Sequence, residues 1–109
     1  MTETVKTELD KIVSALVETG IVTKIILFGS HARGDGSEES DIDLCVLTSV
    51  KNRRPLDVGI DLRMKLWGVK TMPLDLFTSN PDEFSYRSSH VGSLEHEIAK
   101  EGVLIYECN

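Results

Sequence analysis

FGSHARGDGSEESDIDLCV, residues 28–46, joins the end of one apolar run to the start of another through a glycine-serine turn and a charged loop. Upstream, Lys24 to Phe28 (KIILF) is short, rich in β-branched residues and closed by Gly29, so it reads as a buried strand. Downstream, Ile42 to Leu47 reads as a second strand. In a strand, residues two apart share a face, so Asp41 and Asp43 project together while Ile42, Leu44 and Val46 point the other way. That places the two carboxylates about 6–7 Å apart along the backbone.

Two ionised carboxylates so close, at a partly buried strand end, repel each other and lose hydration. A divalent cation would relieve both costs, and Mg²⁺ typically takes one or two carboxylates and leaves its other positions to water and phosphate. Taken alone, the pair also fits a solvated acidic turn in a chain with eight aspartates. Gly29-Ser30 adds what the pair lacks. A glycine after a buried strand lets the backbone approach a ligand, successive N–H groups can cradle a phosphate, and Ser30 supplies a hydroxyl. A phosphate turn beside a carboxylate pair is the equipment of phosphoryl or nucleotidyl transfer.

A third acid, Asp75, stands inside the apolar run Pro73-Leu74-Asp75-Leu76-Phe77. By itself it reads as a strand-edge aspartate facing water. Between Leu74 and Leu76 it is also placed to join the face of Asp41 and Asp43, where it could hold a metal or act as a base toward a hydroxyl.

Around this centre, Val5, Leu9, Ile12, Val13, Leu16 and Val17 recur with helical period before Gly20. Pro55 opens a second helix, with Leu56, Ile60, Met64 and Trp67 at helical spacing up to Gly68; these read as its core face. Leu74 to Thr78 reads as a strand stopped by the turn Ser79-Asn80-Pro81-Asp82. An irregular stretch follows, then a helix around Val91, Leu94, Ile98 and Ala99, and a strand Val103–Tyr106. The order α-β-β-α-β-α-β predicts an α/β or α+β domain, one mixed sheet flanked by helices, with helices expected over one face.

At 109 residues and 12.1 kDa, the chain fits a single domain, residues 1–109. Its 40% hydrophobic and 28% charged residues describe a globular protein. No apolar run is long enough to span a membrane, so a cytoplasmic location is expected. A net charge of −6 argues against nucleic acid as a direct partner. Cys45 and Cys108 have no metal or disulfide spacing, and Cys45 reads as a small core hydrophobe. His90 and His96, six apart, do not share a helix face and suit helix-end or surface roles. Glu38 and Glu39 read as a solvated, mobile loop.

Gly29-Ser30-His31-Ala32-Arg33-Gly34, followed at fixed spacing by Ser40-Asp41-Ile42-Asp43-Leu44, resembles the signature of the minimal nucleotidyltransferases of the polymerase beta-like superfamily. Pro73-Leu74-Asp75-Leu76-Phe77 resembles that family's third acidic strand, and Glu101 to Glu107 its usual ending. The resemblance implies that Gly29 and Ser30 hold the triphosphate of ATP, that Asp41 and Asp43 bind two Mg²⁺ ions, and that Asp75 shares a metal and helps deprotonate the attacking hydroxyl. His31 would line the site at most. Arg33 fits phosphate contact or an ion pair with Asp35 or Asp41 equally.

Similar minimal proteins rely on a separate helical subunit of the HEPN toxin type for the acceptor, and several resemble enzymes that move AMP onto a tyrosine of that toxin. The expected function is therefore a Mg²⁺-dependent adenylyltransferase acting as antitoxin. The alternatives are a non-catalytic module that masks its partner by binding, or a transferase for a small molecule. The oligomeric state stays open.

Overall fold

The computed structural model describes residues 1–108. The elements run α1 (Glu3–Glu18), β1 (Val22–Phe28), α2 (Ser30–Arg33), β2 (Ile42–Thr48), α3 (Pro55–Lys65), β3 (Leu74–Ser79), α4 (Pro81–Ser88), α5 (Leu94–Glu101) and β4 (Val103–Glu107). The sheet has the order β3-β2-β1-β4. β1 is antiparallel to both β2 and β4, whereas β2 and β3 are parallel, with α3 as the crossover that parallel neighbours require. The sheet is mixed, as expected.

α1 starts where Thr2 accepts a hydrogen bond from the Val5 backbone N–H at 3.2 Å. Its buried residues Val5, Leu9, Ile12 and Leu16 pack on Ile25, Leu27, Ile42, Leu44 and Val46 of the sheet, together with Val58, Leu62 and Leu66 from α3 and its end. The opposite sheet face carries a smaller cluster of Ile26, Cys45, Leu47 and Ile98, with Phe28, Phe77 and Phe84 against it. Helices therefore cover both faces, not one: α1 and α3 on one side, α4 and α5 on the other.

α4 is the element that a turn reading hides. Asn80 caps it by accepting the Glu83 N–H at 2.8 Å, and Pro81 occupies its first turn, so Asn80-Pro81 starts a helix where it suggested only a stop.

α3 reverses the expectation for its faces. Leu56, Ile60, Met64 and Trp67 are 68%, 49%, 70% and 84% exposed, while Val58, Gly59, Leu62 and Leu66 are buried. The inward face is the one with the smaller residues because α3 sits tight on β3: a β carbon on Gly59 would run into the Thr78 side chain. Among the described residues, no helix is long and apolar enough to cross a membrane.

Candidate active site

β-strand alternation divides the residues of β2 between the two clusters, and the face under α4 and α5 carries the acids. Asp43 pairs in register with Phe28 of β1 on one side and with Asp75 of β3 on the other. One step along, on the same face, stand Ile26, Cys45 and Phe77, which the apolar cluster with Ile98 and Phe84 covers. The apolar cover thus begins beneath Cys45. The row Phe28, Asp43, Asp75 lines an open cavity of about 330 Å³ with Leu76, Phe77 and Leu94.

β1 ends at Phe28, and Gly29 then turns the chain with φ +76 and ψ −155 into the short α2. Two constraints demand glycine here. The backbone lies in a region that L side chains rarely adopt, and a β carbon would collide with the Asp43 carboxylate. Gly29 and Asp43 are therefore in direct apposition, with Ser30 opening α2 beside them. Among the described residues, the Ser30 hydroxyl makes no hydrogen bond.

Asp41 lies just before β2 and is exposed. The loop leading to it is folded by His31, which is 7% exposed and hydrogen-bonds through Nε2 to the Ser40 carbonyl at 3.2 Å. Gly36 rests against the His31 ring, where a β carbon would clash. The Ser37 N–H donates to Ser40 Oγ at 3.0 Å, and Ser40 N–H to the Ser37 carbonyl at 3.0 Å, so the loop holds itself in a turn. Glu38 and Glu39 are exposed on it.

β3 is fixed at its start by two contacts. The Ile42 N–H donates to the Pro73 carbonyl at 3.0 Å. Upstream, Glu8 of α1 is only 2% exposed and accepts from Thr71 N at 2.6 Å, Thr71 Oγ1 at 2.8 Å and Met72 N at 2.8 Å, with Lys11 at 3.1 Å. Burial alone would raise the Glu8 pKa, but the Met72 and Thr71 donors and Lys11 together hold it down at about 2. This buried carboxylate ties α1 to the segment that delivers Asp75.

Electrostatically the site is over-supplied with negative charge. Burial first, then the neighbouring carboxylates of Asp75 and Asp41, push the Asp43 pKa above its ordinary value, against the opposing pull of His31 and Arg33. Hard oxygens in a field that already favours taking up a proton suit a divalent cation held by one or two carboxylates. Among the described residues, no group of three or more His, Cys, Asp and Glu side chains forms a metal cage. Asp43 and Asp75 are the adjacent pair, and Asp41 stands at the rim.

Arg33 turns toward Asp35 at 3.5 Å and Glu101 at 3.9 Å, the ion-pair role. His90 and His96 donate from Nδ1 to the carbonyls of Tyr86 and Ser88, both at 2.9 Å, which are helix-end contacts. Sequence reasoning passed over Glu8 and underrated His31. Glu8 left one signal, an acid on the same helical face as Val5, Leu9 and Ile12.

Comparison with known proteins finds relatives in sequence and in fold. The family model described as "Polymerase beta, Nucleotidyltransferase" matches residues 10–109. The chain is 34% identical over 87 residues to the "Putative protein adenylyltransferase MJ0604" of Methanocaldococcus jannaschii, covering 80% of this chain and 81% of that protein. A crystal structure of a mutant of the toxin-antitoxin MntA-HpeT aligns with a TM-score of 0.59 at 22% identity, over 91% of this chain and 72% of that one. A toxin-antitoxin crystallised with AMP-PNP aligns with a TM-score of 0.55 at 20% identity, over 91% and 73%. These two likenesses are likenesses of fold.

Proposed function

The chain belongs to the polymerase beta nucleotidyltransferase family, and on that premise we propose that it transfers AMP from ATP to a tyrosine hydroxyl of a helical, HEPN-type partner and acts as that partner's antitoxin. The observation that carries the reading is the register pairing of Asp43 with Asp75, with Gly29 pressed against Asp43. Phosphate turn and carboxylates then share one small volume. A relative named as an adenylyltransferase and fold neighbours named as toxin-antitoxin pairs, one with AMP-PNP, support the substrate and the partner class.

In this reading the backbone at Gly29 and the Ser30 hydroxyl hold the triphosphate, since the first N–H groups of a helical turn have no intrahelical acceptor. Asp43 and Asp75, with Asp41 at the rim, would hold Mg²⁺. When bound there, the ion would supply neutralisation of the charge on the entering and leaving oxygens. Asp75 takes the proton of the acceptor hydroxyl, whose oxygen forms a bond to the α-phosphorus as the bond to the bridging oxygen breaks and pyrophosphate leaves. Phe28, Phe77 and Leu94 give the cavity apolar walls.

The test is to incubate the protein with the product of its adjacent reading frame, ATP and Mg²⁺, and to weigh that product intact. A gain of AMP units that disappears in Asp41→Ala/Asp43→Ala is expected. Absence of any gain, with tight binding by the double variant, would instead establish masking by binding alone.

A further inference from the structure

The exposed stripe Leu56, Ile60, Met64 and Trp67 has no role in the fold or in the nucleotide site. Leu56 to Met64 extends over about 12 Å of helix axis, and Trp67 continues it on the following turn. Single exposed apolar residues are ordinary, but a row of three large ones on one helix, extended by Trp67 just past its end, suits a contact surface.

Its surroundings describe what it meets. Residues 51–70 hold six Lys and Arg against two Asp, in a chain whose net charge is −6. Both aspartates are already paired: Asp61 with Arg53 at 2.6 Å and Asp57 with Arg54 at 3.0 Å. The Arg63 guanidinium bonds the Leu76 carbonyl at 2.9 Å and keeps its charge. Lys51, Arg63, Lys65 and Lys70 of this segment have no acidic partner among the described residues, and they outnumber the α1 acids Asp10 and Glu18 that flank Val69. Two copies meeting stripe to stripe would set like charges together. Nucleic acid would be repelled by the rest of the molecule, and an aliphatic row with one aromatic offers little base stacking.

Topology fixes where the stripe leads. β2 runs away from Asp41 and Asp43, α3 returns, and β3 begins at Leu74 beside Ile42. The Met64–Trp67 end therefore lies at the end of the sheet that holds the acids.

We propose that this stripe docks a helix of a partner protein, a helix apolar along one face and bordered by Asp and Glu, which packs along α3 toward the acidic end of the sheet. The inference deepens the transfer reading, because the docked protein is then the one that presents the acceptor hydroxyl. Affinity concentrates in Trp67 and Met64, the large side chains nearest the site.

The test places a photoreactive benzoylphenylalanine at position 67, or at exposed Ser85 on α4, across the sheet, as a control, in the full chain expressed in its own host. The adducts are sequenced, and the captured protein is purified for titration. The expected result is a protein adduct at 67 and not at 85, mapped to a helix flanked by acidic residues, with Trp67→Glu and Met64→Glu each weakening binding roughly tenfold or more and ATP binding unchanged. A nuclease-sensitive adduct, a phospholipid adduct, an adduct of twice the chain's mass, equal labelling at 85 or no adduct overturns it, as does wild-type affinity in both variants. The two readings separate cleanly. If wild type transfers AMP and Trp67→Glu does so at the same KM for the partner, the docking fails and the transfer stands. If the variants lose the partner but wild type transfers no AMP, the docking stands and the transfer fails.

Discussion

The α carbon of Gly29 sits against the Asp43 carboxylate so closely that a β carbon there would overlap Oδ2. The glycine turn and the acid are thus one packed unit. The Gly29→Ala variant meets both this collision and a φ of +76. It should lose about 1–3 kcal/mol of stability in urea titration and lower AMP transfer by roughly a hundredfold, as expected when reacting groups shift by about an ångström.

Asp43 should make the metal-free protein less stable as pH rises. Its folded pKa lies above the unfolded value of 3.8, through burial and then Asp75 and Asp41. Its penalty is therefore absent below the ordinary carboxylate range and grows as pH climbs through the raised value. In EDTA, Asp43→Asn is expected to melt higher than wild type at pH 7 and to lose that advantage near pH 3; assayed separately with ATP and Mg²⁺, the same variant should abolish transfer. Equal melting points at pH 7 would contradict the electrostatic account.

Glu8 has the opposite sign. Its folded pKa of about 2 is below the unfolded 4.5, so its stabilisation is complete above the unfolded value and fades as pH falls toward the folded one. Glu8→Gln should cost about 2–3 kcal/mol at pH 7. Urea titrations at pH 7 and pH 3 should show the gap between variant and wild type narrowing in acid.

His31→Ala frees the Ser40 carbonyl and opens space beside Gly36. Transfer is expected to drop more than stability does, because the loop that carries Asp41 loses its anchor while the sheet is untouched. Melting temperature and transfer rate measured on one preparation check this.

Cys45 is fully buried, and burial with a contribution from Glu95 pushes its thiol up to about 12. Thiol titration should find it silent in the native protein and reactive only on unfolding.

The strands were legible as short apolar, β-branched runs closed by turn residues, with Lys24–Phe28 and Ile42–Leu47 falling within β1 and β2, and the acids were legible through period two, which lands Asp43 with Asp75 on one face. α3 was misread because helical spacing fits two stripes in the same segment, and the larger residues look like core when Gly59 is what lets the helix approach. α4 was missed because Asn80-Pro81 signals both a turn and a capped helix start. Glu8 reaches Thr71 across 63 residues, a distance at which no local pattern carries information.

The alternation that puts Asp43 beside Asp75 also governs how this chain can change in length. Adding or deleting one residue within β2 would exchange Asp43 for an apolar neighbour and send the acid into the α1–α3 core. Such changes should survive only in pairs inside the strands, and singly only in the exposed connections. Descendants of this sequence would then vary in loop length around a strand spacing that stays fixed.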